Sequence, residues 1–85
     1  MIGPNTIILD NDGHNAWPPR DRWSTSGRSD EIIIENDVWI GMNCIILKGV
    51  KIGSGSIISA GSVVISNVES NSLYGGNPAK KIKSL

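Results

Sequence analysis

An aliphatic residue recurs at every sixth position through the middle of the chain. The register holds Ile34, Ile40, Ile46, Ile52, Ile58 and Val64. An α-helix turns by about 100° per residue, so six steps would carry each side chain well off the face of the previous one. Strand side chains alternate with a period of two, and because six is a multiple of two, all of these residues can face the same way. The spacing therefore predicts short strands.

A second register lies four residues after the first and consists of small or β-branched residues: Val38, Cys44, Val50, Ser56, Ser62 and Val68. Each strand is expected to point its large residue inward and to place the small one near a corner. Gly49, Gly55 and Gly61 are expected in turns that need unusual backbone angles. Three such sides close a coil of about eighteen residues, and coils of this kind stack into a solenoid. The alternative is a small β-sandwich, whose strands are rarely so evenly spaced.

The pattern divides the 85-residue chain into four parts of one domain. Ile2 and Ile8 are six residues apart, which predicts that the first coil strand lies within residues 1–9. We expect an excursion loop over 10–31, hexapeptide coils over 32–72 and a C-terminal tail over 73–85. In the tail, Gly75-Gly76 predicts a turn and Pro78 the start of a short helix.

Four of the repeats, "IGMNCI", "ILKGVK", "IGSGSI" and "ISAGSV", resemble the hexapeptides of the left-handed parallel β-helix acyltransferases. The run "DVWIGMNCIILKGVKIGSGSIISAGSVV", followed by "YGGNPAKKIKSL", is similar to the C-terminal part of the maltose/galactoside O-acetyltransferase group. The likeness covers residues 1–8 and 32–85. It implies an all-β, left-handed β-helix that uses acetyl-CoA as acyl donor. Members are usually more than twice as long, so the likeness also implies a truncated chain or a fragment.

Composition excludes several other classes of function. Eight basic and eight acidic residues give no net charge and form no basic stripe, which argues against nucleic acid as a partner. No apolar run approaches the length of a membrane span, and no signal peptide is apparent. The single Cys44 cannot form an internal disulfide, which fits a reducing cytoplasm, and its register predicts a core residue.

His14 is the one histidine of the chain and follows directly on the interrupted first repeat. Imidazole is a base whose pKa lies near neutral pH, as transfer to a hydroxyl requires. The resemblance implies that His14 is the catalytic base of a direct transfer from acetyl-CoA. Asp12 is predicted to orient its ring, with a solvated acid as the alternative. The zinc site of the related γ-class carbonic anhydrases needs three histidines, so no catalytic metal is expected here.

The resemblance also assigns acyl-donor contacts. Trp39 stands between two inward residues, Val38 and Ile40, so its side chain is expected to point out of the coil, where the matching tryptophan lines the cleft. Met42 matches a position near the thioester, where an oxyanion donor would have to be a backbone N–H. Ala60 matches a small residue along the pantetheine arm.

The resemblance is weaker for the contacts to the phosphates of coenzyme A. Ile65 and Ser66 replace a Thr-Lys pair that is common in the family, which removes one expected contact. Lys80, Lys81 and Lys83, near the C-terminus, are predicted to compensate, with a solvated cluster as the alternative.

Trp17, Arg20, Arg22 and Trp23, on the excursion loop, are the candidates for binding the acceptor. Aromatic faces stack on sugar rings, and arginine donors bind hydroxyls or carboxylates. We therefore expect a sugar or saccharide-like hydroxyl as acceptor. An antibiotic or an amine remains the alternative, because other acetyltransferases of this architecture use them.

Oligomerisation is predicted from the residues that precede each inward position: Ile33, Trp39, Ile45, Lys51, Ile57 and Val63. Five of these six are apolar although they should point outward, and soluble monomers mostly avoid such a ridge. A homotrimer is expected, since flat faces suit threefold packing and the resembling family places its sites between subunits. The competing hypothesis is a non-catalytic β-helix fragment that serves only as an oligomerisation module.

Overall fold

The structure is a computed structural model that describes residues 1–12 and 29–85. The described strands are β1 (Ile7–Ile8), β2 (Ile33–Ile34), β3 (Trp39–Ile40), β4 (Ile45–Ile46), β5 (Lys51–Ile52), β6 (Ile57–Ile58), β7 (Val63–Val64), β8 (Ser72–Gly76) and β9 (Ala79–Ser84). No helix in this part of the chain is long and apolar enough to span a membrane.

The strands form three sheets that we call face A (β3-β6-β8-β9), face B (β1-β4-β7) and face C (β2-β5). Neighbouring strands of successive coils are parallel, and Trp39 pairs with Ile57 while Ile45 pairs with Val63. Both pairs are eighteen residues apart, so a coil has three sides of six residues, as predicted. The backbone hydrogen bonds therefore run between coils rather than within them.

The interior is filled by the two predicted registers. Ile40, Ile46, Ile52 and Ile58 are fully buried, and each contributes about 1.5–3 kcal/mol by leaving water. The small residues beside them are buried as well, Cys44, Ser56 and Ser62 completely. Ile2 and Ile8 share the inward register but stay exposed, because within the described residues no further coil packs against the first one.

Six of the described corners have one residue in the left-handed backbone region, directly before a buried small residue. Gly49, Gly55 and Gly61 have φ values of 76°, 74° and 74°, which confirms their predicted place in turns. Asp37 and Asn43 take the same place with φ near 58°. Short polar side chains of this kind tolerate the left-handed region better than other non-glycine residues do.

Val68 is buried, but its predicted register is wrong. It pairs with Ile52 and so takes the place of an inward large residue rather than a small corner residue. The corner that follows Val64 is therefore two residues shorter than the others. From there on Tyr74, six residues after Val68, pairs with Ile58 and fills the inward position.

The prediction of a short helix after Pro78 is wrong too. Strand β9 folds back and pairs antiparallel with β8 at the edge of face A. The turn lies at Asn77-Pro78, and Gly75-Gly76, where it was predicted, are the last residues of β8. The free N–H and C=O groups at the edge of β8 provide partners for the lysine-rich segment, which explains why it forms a strand.

The excursion enlarges the corner between faces B and C in the first coil. Ile7 and Ile45 pair although they are 38 residues apart, twenty more than the regular spacing of a coil. The chain leaves and returns side by side, since the Asp30 N–H donates to the Asp10 carbonyl at 3.0 Å and Asn11 forms an antiparallel bridge with Ser29.

Candidate functional site

A groove of about 470 Å³ runs along face A and the corner between faces A and B. It is lined by Met1, Gly3, Pro4, Trp39, Gly41, Met42, Ile57, Ile58, Ser59, Ala60 and Leu73. Three residues that the sequence assigned to one ligand, Trp39, Met42 and Ala60, thus lie in the same groove. Trp39 points out of the coil, as predicted, and is 51% exposed.

Two glycines make the floor of the groove. A Cβ atom on Gly41 would lie 2.7 Å from the backbone nitrogen of Ala60, and one on Gly3 would lie 2.7 Å from the Met42 nitrogen. Either contact is far below van der Waals distance, so side chains here would push the coils apart. The groove floor is therefore backbone. Sequence reasoning overlooked Gly3, although a glycine directly after the inward isoleucine was a visible signal at Gly41.

The backbone N–H of Met42 faces this groove. The carbonyl of the same peptide, on Gly41, accepts a hydrogen bond from Thr6 Oγ1 at 3.0 Å. Thr6 belongs to the register of small residues, whose side chains point into the coil. Because a trans peptide directs its C=O and N–H in opposite directions, the Met42 N–H points outward.

The N–H of Ala60, one coil further, has the same orientation for the same reason. The Ser59 carbonyl accepts from Ser62 Oγ at 2.6 Å and from Cys44 Sγ at 3.2 Å, and both donors are fully buried. Among residues 1–12 and 29–85, neither groove N–H finds a hydrogen-bond acceptor. Since adjacent parallel strands lie about 4.8 Å apart, the groove offers two donors at roughly that spacing.

The lysines of β9 lie at the far edge of face A. Lys83 pairs with Leu73, a groove residue, and Lys80 pairs with Gly75, so both are expected on the outer side of the sheet with their partners. Lys81 instead donates to Glu69 at 2.6 Å, and this hydrogen bond raises the pKa of Lys81 above its ordinary value.

The remaining predicted residues lie elsewhere. Ile65 and Ser66 are exposed residues after β7 and are not among those that line the groove. Asp12 stands at the foot of the excursion loop and forms an ion pair with Lys48. The predicted base His14 and the acceptor candidates Trp17, Arg20, Arg22 and Trp23 lie outside the described residues.

A comparison with family models decides the class. Residues 31–66 match the family described as bacterial transferase hexapeptide (six repeats). These residues carry the hexapeptide repeats of that family. This agrees with the three-sided coil, and the solved structures below establish that the fold is the left-handed β-helix expected from the resemblance.

Named relatives of the hexapeptide-repeat chain are acetyltransferases. It is 57% identical over 53 residues to a 2,3,4,5-tetrahydropyridine-2,6-dicarboxylate N-acetyltransferase of Clostridium perfringens. This match covers 62% of the chain but 22% of the relative, so the chain spans only a small part of that enzyme.

Two solved structures extend the likeness over nearly the whole chain. A hexapeptide-repeat acetyltransferase of Vibrio cholerae complexed with acetyl coenzyme A superposes with a TM-score of 0.91 at 40% identity, covering 99% of this chain and 45% of that one. A galactoside acetyltransferase in complex with coenzyme A gives a TM-score of 0.81 at 34% identity, covering 98% and 44%.

Proposed function

We propose that the chain is the donor-binding part of an acetyl-CoA-dependent acetyltransferase, with the groove on face A as the acyl-donor site and His14 as general base. The observation that carries the proposal is the pair of outward N–H groups, on Met42 and Ala60, above a floor of glycine backbone. Such a floor leaves room for a slender chain whose carbonyl groups can accept hydrogen bonds from these two donors.

The two N–H groups match two kinds of hydrogen-bond acceptor in acetyl-CoA, the thioester carbonyl and the amide carbonyls. A fixed backbone donor beside the thioester carbonyl stabilises the charge that develops on its oxygen during acyl transfer. We assign this role to Met42, and to Ala60 the binding of an amide carbonyl of the pantetheine arm. Lys80 and Lys83 supply positive charge for the phosphates at the far edge of the face.

His14 is proposed to move the proton of the reaction. It accepts the proton of the acceptor hydroxyl while the oxygen forms a bond to the acyl carbon. As the carbon–sulfur bond breaks, His14 returns the proton to the departing thiolate. Asp12 is proposed to support the loop that carries His14. General acid–base help of this kind contributes about 10²–10⁴-fold to the rate.

We further propose that the protein acts as a homotrimer. The loop that carries His14 leaves the coil beside Lys48, whereas the groove reaches the other corner of face B at Met42. Six residues of extended chain separate these corners, roughly 20 Å. We propose that this loop meets the groove of a neighbouring copy, so that each site combines two chains.

The proposed acceptor is a hydroxyl of a sugar or saccharide-like molecule, bound by Trp17, Arg20, Arg22 and Trp23. The solved galactoside acetyltransferase supports this choice, and the N-acetyltransferase relative makes amines the alternative class to test. The cytoplasm is the proposed location, because the buried free thiol of Cys44 is stable in a reducing compartment.

The experiment is a free-thiol release assay with acetyl-CoA and a panel of galactosides, maltose and amino sugars. The His14→Ala variant should lose about 10²-fold or more of the transfer rate while its affinity for coenzyme A, measured by calorimetry, stays within about twofold. If the variant keeps more than about a tenth of the rate, another group is the base. A wild-type chain that neither binds coenzyme A nor releases thiol would instead be a structural module.

A further inference from the structure

We infer that Ser62, a fully buried serine behind the groove, is a positioning residue that sets the affinity for the acyl donor by fixing the Ala60 N–H. The inference rests on the proposed donor site. Ser62 itself touches no ligand and acts through one peptide group of the groove wall.

The Ser62 hydroxyl is held by three groups. It donates to the Ser59 carbonyl at 2.6 Å, accepts from the Gly76 N–H at 3.2 Å and lies 3.1 Å from Ser59 Oγ. The Gly76 bond ties this arrangement to β8, the next strand of face A. The hydroxyl therefore has one favoured orientation, toward the Ser59 carbonyl.

This hydrogen bond determines which way the Ser59–Ala60 peptide faces. A buried carbonyl without a partner is costly, so removal of the Ser62 hydroxyl favours rotation of the carbonyl toward water. The same rotation would swing the Ala60 N–H away from the groove. The thiol of Cys44, 3.2 Å from the same carbonyl, is a weak donor and cannot replace the hydroxyl fully.

Ser56 provides a matched control in another corner. It is also fully buried, its Oγ donates to the Glu69 carbonyl, and it accepts from the Ser72 N–H at 3.2 Å. That corner joins faces C and A, and neither Glu69 nor Ser70 lines the groove. Loss of the Ser56 hydroxyl should therefore cost similar stability without an effect on the donor site.

Thr6 shows that the register of small residues accepts a hydroxyl-bearing side chain larger than serine. It stands two coils before Ser62 in the same corner and donates to the Gly41 carbonyl of the next coil, as the Cys44 thiol does to the Ser59 carbonyl. Ser62→Thr and Ser62→Val differ mainly by the hydroxyl, and Val38 and Val50 are buried in equivalent positions. This pair separates the hydrogen bond from side-chain volume.

The test is calorimetric titration of each full-length variant with coenzyme A and with acetyl-CoA, alongside thermal unfolding. Ser62→Ala and Ser62→Val should weaken binding by about three- to tenfold, the loss expected for one hydrogen bond. Ser62→Thr and Ser56→Ala should stay within about twofold of the wild type. Should Ser62→Ala fail to fold, the Thr/Val comparison alone decides the matter.

Two results would overturn the inference while leaving the donor site in place. One is wild-type affinity in Ser62→Val, and the other is an equal loss of affinity in Ser56→Ala. A wild-type chain that binds neither coenzyme A nor acetyl-CoA would refute the donor site itself and the inference with it.

Discussion

The ammonium group of Lys48 lies 3.1 Å from the Asp12 carboxylate and so joins the second coil to the foot of the excursion loop. Asp12 is the last described residue before the loop segment, and Lys48 stands at the corner over which the loop leaves. On the returning side, Asp30 lies next to Gly49. Both ends of the loop are therefore attached to the same corner of the second coil.

Lys48→Met should lower the transfer rate because the proposed base His14 is only two residues from Asp12. The side chains of the pair are 23% and 42% exposed, so the ion pair contributes at most about 1 kcal/mol, and the rate should fall by about two- to fivefold. Affinity for coenzyme A should not change. Lys51→Met is the control, since Lys51 pairs more loosely with Glu35, at 4.0 Å, on face C. If both variants lower the transfer rate equally, the ion pair between Lys48 and Asp12 has no particular role in the reaction.

Ala60→Leu should weaken binding of coenzyme A by about tenfold or more, because a branched side chain beside the glycine floor would fill the groove. Ser54→Leu is the matched control: Ser54, like Ala60, is the second residue after an inward isoleucine, but it does not line the groove. Calorimetry of both variants compares them directly. If Ala60→Leu binds coenzyme A as tightly as the control does, the donor site lies elsewhere.

The fold was largely predictable because strand geometry alone fixes which residues point inward. Ile40 and Trp39 differ by one position, and the period of two sends the first into the core and the second outward. The corner after Val64 and strand β9 could not be predicted in this way. The length of a corner depends on which neighbour the next segment pairs with, and β9 forms because β8 offers an open edge.

The groove was predictable only in part. Trp39, Met42 and Ala60 were assigned by resemblance, and the coil brings them together because they recur at the same corner. Thr6 and Ser62 were overlooked as functional residues because the direction of a peptide group depends on hydrogen bonds between coils. A hydroxyl in the buried register of small residues was the signal that could have indicated Thr6 and Ser62.

Stability should depend on pH through Lys81. Its hydrogen bond to Glu69 raises its pKa above the ordinary value of 10.5, so the stabilisation is complete below that pH and is lost as the pH rises through the raised pKa. The unfolding temperature of the wild type should exceed that of Lys81→Met at about pH 9, and the difference should shrink as the pH rises through the raised pKa. Lys80→Met, which removes a neighbouring positive charge from β9, is the control. A difference for Lys81→Met that persists unchanged at high pH would contradict this role.

Face B presents two columns of apolar side chains to the outside. They point outward because they alternate with the inward residues of the same strands. The columns consist of Ile7, Ile45 and Val63, and of Leu9, Leu47 and Ile65. Three of these six are exposed, and the other three are half-buried. A contiguous apolar surface of this kind is typical of a protein–protein interface. Face C differs, since Ile33 there pairs with Lys51.

Ile45→Glu combined with Val63→Glu should therefore dissociate the proposed trimer and abolish acetyl transfer together. The carboxylates would be buried without partners in the assembly but solvated in the single chain, which favours dissociation. This double variant is cleaner than one that includes Ile57, because Ile57 lines the groove and its replacement would affect donor binding directly. Ile33→Glu, on face C, should leave both the oligomer and the activity intact. Light scattering at micromolar concentration measures the mass of each variant, and a monomer mass for the unmodified chain would refute the trimer.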